Sequence, residues 1–269
     1  FAEPGLVAVI GNDFKAEDIK LLDNHGVDLS GMTTADGPTF RWGGRYHDDM
    51  KGRDTLFTHL NVFETFTPEL GSDHRQIPTV FLANIHPGLQ HQVLDQVDTP
   101  GFVAADTMNL WIDIARDDLI RLLGRLDGLF LNDEEAEQLT GETSVLEAIK
   151  ALQQMGPKLV VVKRGEHGAL VALGAEHFFV PAFPVPRVVD PTGAGDTFAG
   201  AFMARLAQQN DFSMASVRQA AVLGTIVASF CVEGFGLERT DTLTLQDIQA
   251  RYEEFEALTH FERIDLGTS

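Results

Sequence analysis

Asp190-Pro-Thr-Gly-Ala-Gly-Asp196-Thr-Phe-Ala-Gly-Ala-Phe202 is the stretch on which the reading of this chain turns. Pro191 fixes one backbone angle at its start. Gly193 and Gly195 free the neighbouring angles and keep side chains out of the approach to the backbone. Residues 196–206 have a helical pattern, with Phe198, Phe202 and Leu206 on one face. Successive N–H groups at such a helix start form an anion nest, which stabilises negative charge developing on a phosphoryl group. Asp196 falls in the first turn, where negative charge is favoured. Two roles fit it there: a plain helix cap, or a base that accepts a proton from an attacking hydroxyl.

Upstream, short apolar runs each exit into a polar or glycine residue. Residues 6–10 run into Gly11 and Asn12, 80–83 into Asn84, 102–105 into Asp106, 129–131 into Asn132, and 159–162 into Lys163 and Arg164. Runs this apolar suit parallel strands covered on both faces, and helical patterns lie between them. One helix is predicted after Ser144, with an S-x-x-E capping box to Glu147, an apolar face of Ile149, Leu152 and Met155, and a stop at Gly156. This α/β reading gathers Asn84, Asp106, Asn132 and Lys163 at the carboxyl ends of strands, where open sheets bind ligands. Asn and Asp also end strands simply as turn formers.

Residues 33–63 break the alternation. Residues 39–42 and 45–47 read as a hairpin about Gly43-Gly44, and 55–63 as a third strand alternating Leu56, Thr58, Leu60 and Val62, with no helix. The predicted layout is a mainly parallel sheet flanked by helices, formed by residues 1–32 and 64–269, with a small β lid at 33–63. A three-stranded lid has a face to cover, which a second protomer would do. His47-Asp-Asp49 reads as a solvated turn of the lid rather than a metal site. Residues 213–230 are apolar almost all round, with small residues at Ala220, Ala221, Gly224 and Ala228, so a buried helix is expected. Thr244 caps a last helix.

The chain has 269 residues, which fits one large α/β domain. Its net charge of −20, from 40 acidic and 20 basic residues, repels nucleic acid and anionic membranes. It repels ATP equally, so a nucleotide site needs local cations or a metal. Cys231 is the single cysteine, which excludes an intrachain disulfide and fits a reducing cytoplasm. The longest apolar stretches carry charges or glycines within a membrane span's length. The sequence has no G-x-x-x-x-G-K-[ST], H-E-x-x-H or G-x-S-x-G, which excludes the corresponding mechanisms at motif level.

Residues 190–196 resemble the signature of the ribokinase/PfkB carbohydrate kinases, D-[TP]-[TP]-G-A-G-D. The resemblance implies a ribokinase-like fold and an ATP-dependent kinase acting on a hydroxyl of a sugar or sugar acid. Asp196 would be the general base, and the backbone of Gly193, Ala194, Gly195 and Asp196 the anion hole. Asn132-Asp-Glu-Glu135 resembles the family's N-x-x-E, which organises Mg²⁺ and the phosphates, although the same two residues also make a capping box. Lys163-Arg-Gly-Glu-His-Gly168 resembles the strand–turn–strand along the nucleotide, which assigns Lys163, Arg164, Gly165 and Gly168 to it. Gly224 falls where relatives receive the adenine. Val232-Glu-Gly-Phe-Gly236 resembles a closing loop that, with Asp190 and Thr192, binds a monovalent cation such as K⁺.

Gly11-Asn-Asp13-Phe14 and Gly26-Val-Asp28 match the family's early segment, and the lid falls where the family places its substrate cover. Arg41, Arg45, Asn84, Asp106 and Asn109 are the substrate candidates. Asp106-Thr-Met-Asn109-Leu-Trp111 resembles a stretch of fructokinase-like and ketodeoxygluconate-kinase-like members, which favours sugars over nucleosides. Relatives begin with a strand carrying a substrate-binding Asp and a Gly-Gly…Asn motif. Neither occurs here, so the resemblance leads one to expect a further segment ahead of Phe1. Two alternatives stand beside the sugar kinase: a nucleoside kinase of the same family, and a sugar- or nucleotide-binding relative without turnover. Asp196 and the paired glycines argue against the last, since binding alone needs no base.

Overall fold

The computed structural model describes residues 1–47 and 53–265. In chain order the first elements are β1 (Gly5–Gly11), α1 (Ala16–Asn24), β2 (Asp28–Ala35), β3 (Arg41–Tyr46), β4 (Arg53–His59) and a 3-10 turn (Asn61–Thr65). Next come α2 (Ser72–Arg75), β5 (Thr79–Leu82), α3 (Pro87–Leu94), β6 (Phe102–Asp106), α4 (Asn109–Ile114), α5 (Arg116–Leu123) and β7 (Gly128–Asn132). The last are α6 (Asp133–Thr140), α7 (Val145–Met155), β8 (Leu159–Lys163), β9 (Ala169–Leu173), β10 (Glu176–Val180), α8 (Ala194–Gln209), α9 (Met214–Cys231) and α10 (Leu245–Thr259).

The main sheet has six strands in the order β10-β9-β8-β7-β6-β5. β5 to β8 run parallel, β9 is antiparallel to β8, and β10 is antiparallel to β9. Period-two alternation sorts the apolar runs onto two faces. Leu159 and Val161 join Phe102, Phe130, Phe198 and Phe202 on the side covered by α8, α9 and α10. Val160 and Val162 join Leu129, Leu131, Leu122, Ile149 and Leu152 on the other. Both faces are buried, which is why these strands read as unbroken apolar runs. Phe130 meets Phe202 edge-on, with ring centroids 5.1 Å apart. α9 is long and apolar enough to cross a membrane by length and composition, yet most of it is buried within the protein.

Several sequence expectations need correction. The strand at 6–10 is present as β1, but it pairs in parallel with β2 in a separate two-stranded sheet. Residue 33, where the lid is expected to begin, lies within β2. Gly43 and Gly44 do not turn a hairpin. They lie inside β3, which pairs antiparallel with β4, with a register shift at that point. A Cβ at Gly43 would come 2.4 Å from the Phe57 ring, and one at Gly44 2.4 Å from the Trp42 ring, so the glycines make room for aromatic rings lying over the ribbon. The third strand expected at 55–63 is β4 followed by the 3-10 turn, whose Val62 is buried. Residues 48 and 49 of the expected turn lie outside the described residues. The Ser144 box does not form: Ser144 occupies the N-cap position without a side-chain bond, and Glu147 pairs with Lys150 at 2.7 Å. Gly156 does end α7, and Thr244 caps α10 through a box with Asp247.

Candidate active site

The glycine turn and the start of α8 form where the sequence places them. Asp190, Thr192 and Pro191 make a tight turn in which the Thr192 N–H donates to Asp190 Oδ1 at 2.9 Å. Gly193 is the N-cap of α8 with φ 80°, a left-handed conformation that favours glycine. The Ala194 N–H donates to the Pro191 carbonyl and the Thr197 N–H to that of Gly193. The N–H groups of Gly195 and Asp196 have no acceptor among the described residues, as expected for a first helical turn. Asp196 is exposed in that turn.

The turn is held from behind by the end of α9. The Val232 carbonyl accepts from the N–H groups of Val189 and Asp190 at 2.8 and 3.4 Å. The Cys231 thiol lies 3.6 Å from the Thr192 carbonyl. Val232, the first residue of the 232–236 loop, is thus packed beside Asp190. From the other side the Thr192 hydroxyl donates to Tyr46 Oη at 3.1 Å, joining the end of β3 to the nest. Nothing in the sequence singled out Tyr46. The base of the β3–β4 ribbon is fixed by Asp13, whose Oδ1 accepts from the Thr39 N–H and hydroxyl at 2.6 and 2.7 Å. Those bonds hold the Asp13 carboxyl below its ordinary value of 3.8.

Lys163 ends β8 and reaches back across β7 to Asp106 at the end of β6, Nζ to Oδ2 2.6 Å. Asp106 is buried and also accepts from the Thr107 N–H at 2.8 Å. Burial pushes its carboxyl up from 3.8; the Lys163 ammonium opposes the rise, and the Asp196 charge adds to it. The same ammonium lies against the nest: a Cβ built at Gly195 would be 3.3 Å from Lys163 Nζ. Asp106, Lys163, Gly195 and Asp196 therefore share one place at the carboxyl end of the sheet.

The remaining candidates divide. Asn132 and Glu135 form a complete capping box at the start of α6, 2.8 Å from Asn132 Oδ1 to the Glu135 N–H and 2.7 Å in return. Gly165 and Gly168 both have positive φ in the turn between β8 and β9, and a Cβ at Gly168 would lie 2.1 Å from the Val180 carbonyl. Arg164 stands 3.7 Å from Asp133, too far for a hydrogen bond. Arg41 and Arg45 are exposed on β3. Asn84 accepts from Trp111 Nε1 at 2.8 Å, and Asn109 donates to Gln138 at 2.7 Å. Neither partner was foreseen. Gly224 is buried where α9 crosses α8; a Cβ there would meet the Phe198 carbonyl at 2.9 Å. Its missing side chain serves helix packing.

A glycine-rich helix start, an acid in its first turn and an ammonium against it thus come together at the carboxyl end of a mainly parallel sheet. The pfkB family carbohydrate kinase profile matches residues 2–242. The chain belongs to that family. It is similar to a cytidine kinase of Thermococcus kodakarensis, 33% identical over 209 residues, covering 76% of this chain and 73% of that one. A nucleoside kinase of Methanothermobacter thermautotrophicus is 26% identical over 258 residues, covering 87% and 74%. Among solved structures, a putative ribokinase II from E. coli in complex with ATP and Mg²⁺ superposes with a TM-score of 0.77 at 24% identity, covering 93% of this chain and 83% of that one. The fold is thus ribokinase-like and the chain is a kinase of the ribokinase type, acting on a sugar or a nucleoside.

Kinases of this family use ATP, and the divalent ion they imply can be tested against the residues present. Among the described residues no three His, Cys, Asp or Glu side chains cluster as a cage. Asn132 and Glu135 offer a small set of oxygens at a strand end. That set fits Mg²⁺, which keeps waters and phosphate oxygens as its other ligands and needs no all-protein site.

Proposed function

We propose that this chain transfers the γ-phosphoryl group of ATP to a hydroxyl of a sugar ring, with Asp196 as the general base. The observation that carries the reading is Asp196 in the first turn of α8, beside unpartnered N–H groups and the Lys163 ammonium. Asp196 takes the proton of the attacking hydroxyl as its oxygen bonds to the γ-phosphorus. The bond from that phosphorus to the bridging oxygen breaks, and ADP leaves with the electron pair. The backbone of Gly193, Ala194, Gly195 and Asp196 stabilises the charge on the transferring group. Lys163 and Arg164 offset the chain's negative field near the nucleotide, and the Gly165–Gly168 turn borders it. Asn132 and Glu135 would hold Mg²⁺, which when bound would supply charge neutralisation at the phosphates. Asp190, Thr192 and the 232–236 loop hold a monovalent cation such as K⁺.

The β3–β4 ribbon, within residues 33–63, serves as a lid over the acceptor, with Arg41 and Arg45 on it. Its exposed Leu56 and Phe57 would be covered by the lid of a second protomer. The buried single cysteine accords with a cytoplasmic setting. For the acceptor, the cytidine kinase relative favours the ribose of a nucleoside. The second reading is a free sugar or sugar acid, supported by the 106–111 stretch. The bonds of Asp106 to Lys163, Asn109 to Gln138 and Trp111 to Asn84 weaken that support, because they engage these side chains within the protein. ATP turnover is measured against a panel of nucleosides, sugars and sugar acids, with thermal shift as a binding readout. ADP formation with a nucleoside supports the first acceptor class, and with sugars alone the second. Binding without turnover across the panel contradicts the kinase mechanism.

A further inference from the structure

Asp106 stands at the end of a central strand, where a carboxylate facing the acceptor would be expected. The structure gives it a different task. Its side chain is only 5% exposed, and its oxygens are engaged by Lys163 Nζ at 2.6 Å and by the Thr107 N–H at 2.8 Å. Lys163 starts two strands away, on β8, and crosses β7 to reach it. The crossing fixes where the ammonium rests: it stands beside Gly195, 3.3 Å from where a Cβ would be. Without a partner, a long ammonium side chain is rotamer-rich and pulled toward water. A buried carboxylate at hydrogen-bond distance sets its direction.

We infer that Asp106 is a positioning residue for phosphoryl transfer, holding the Lys163 ammonium at the mouth of the Gly193–Asp196 nest, and that it does not bind the acceptor. This rests on the reading of that nest as the anion hole. The carboxylate offsets the cost of keeping Lys163 charged in a part-buried place. The ammonium keeps two further donors besides the one given to Asp106, free for phosphate oxygens at the nest. Burial also raises the Asp106 carboxyl, so the pair depends on Lys163 as much as Lys163 depends on it. In this arrangement the two residues act as one unit, and their losses are not additive.

The test compares Asp106→Asn, Asp106→Glu, Lys163→Met and the double variant Asp106→Asn/Lys163→Met in steady-state kinetics, with ATP and the acceptor varied separately. Asp106→Asn should lower kcat/KM for ATP by about 10- to 100-fold, the equivalent of one charge-assisted hydrogen bond lost, while the acceptor KM stays unchanged. Asp106→Glu should recover most of that loss. The double variant should be no worse than Lys163→Met alone. A raised acceptor KM with ATP kinetics unchanged, or fully additive losses in the double variant, would overturn the inference. Asp106→Asn leaves a part-buried ammonium unpaired and could fail to fold. In that event Asp106→Glu and the double variant decide: Asp106→Glu must act on ATP kinetics alone, and an acceptor-specific defect in it refutes the inference. Asp196→Asn is run in parallel. If it turns over normally, the reading of the nest fails; if it is inactive while Asp106→Asn behaves like the parent, only the positioning role fails.

Discussion

Gly224→Ala and Gly200→Ala make a matched pair, because the two glycines sit in crossing helices with opposite surroundings. At Gly224 a Cβ would stand 2.9 Å from the Phe198 carbonyl oxygen and 3.0 and 3.1 Å from two carbons of its ring. The oxygen is backbone of α8, so relief requires the helices to separate. Overpacking of this kind costs about 1–3 kcal/mol. Against it stands a gain of about 1 kcal/mol from alanine's helix propensity. The net expectation is a loss of up to about 2 kcal/mol, a fall in Tm of up to roughly 8 °C for a chain of this size. At Gly200, exposed on α8, nothing lies within 4 Å of an added Cβ. Only the propensity gain applies, so Gly200→Ala should raise stability by about 0.5–1 kcal/mol. Calorimetric melts of both variants check this, with ATP KM measured well below the transition. Gly224→Ala should leave that KM unchanged. A rise in Tm for Gly224→Ala equal to that of Gly200→Ala, or a large rise in its ATP KM with no loss of stability, would refute the packing role given to Gly224.

Two further outcomes rest on local geometry. Glu135→Gln keeps an oxygen that can cap the Asn132 N–H, so melts should change little, while the Mg²⁺ concentration needed for half-maximal activity should rise; a change in Tm alone would leave only the capping role. Asp211 and Asp247 are held below the ordinary 3.8, Asp211 first by the Ser216 hydroxyl and Asp247 first by that of Thr244. In acid the unfolded chain takes up these protons before the folded one does. Their stabilisation is therefore complete above about pH 5 and is lost as pH falls through the folded values. Urea midpoints measured on descending from about pH 5 to about pH 3 should fall, and fall less steeply in Asp247→Asn, which still caps α10 but no longer titrates.

What was legible in the sequence was what local chemistry fixes. The apolar runs ending in Asp106, Asn132 and Lys163 are strands because both sheet faces are buried, and alternate residues of β8 divide cleanly between the two cores. The nest was legible because paired glycines ahead of an apolar helix face constrain the backbone by themselves. What escaped depends on contacts remote in sequence. Lys163 and Asp106 are 57 residues apart, and Thr192 and Tyr46 are 146 apart, so no spacing announces either pair. Gly43-Gly44 misled because a glycine pair serves a turn and a ring-covered strand equally well, and only the Phe57 and Trp42 rings decide between them. Ser144 and Glu147 have a capping-box pattern, but the Lys150 ammonium is a competing partner for Glu147, three residues further along α7.

Asp196→Asn asks whether Asp196 removes the proton of the attacking hydroxyl, since asparagine keeps the size and the ability to cap while removing the base. A hydroxyl is a poor nucleophile at neutral pH, and a positioned base contributes roughly 10²–10⁴-fold. In the full-length protein, with ATP and the acceptor that supports turnover, kcat should fall by about 10²-fold or more, with ATP affinity kept. Turnover by Asp196→Asn at near the parental rate would contradict the role of Asp196 as the base.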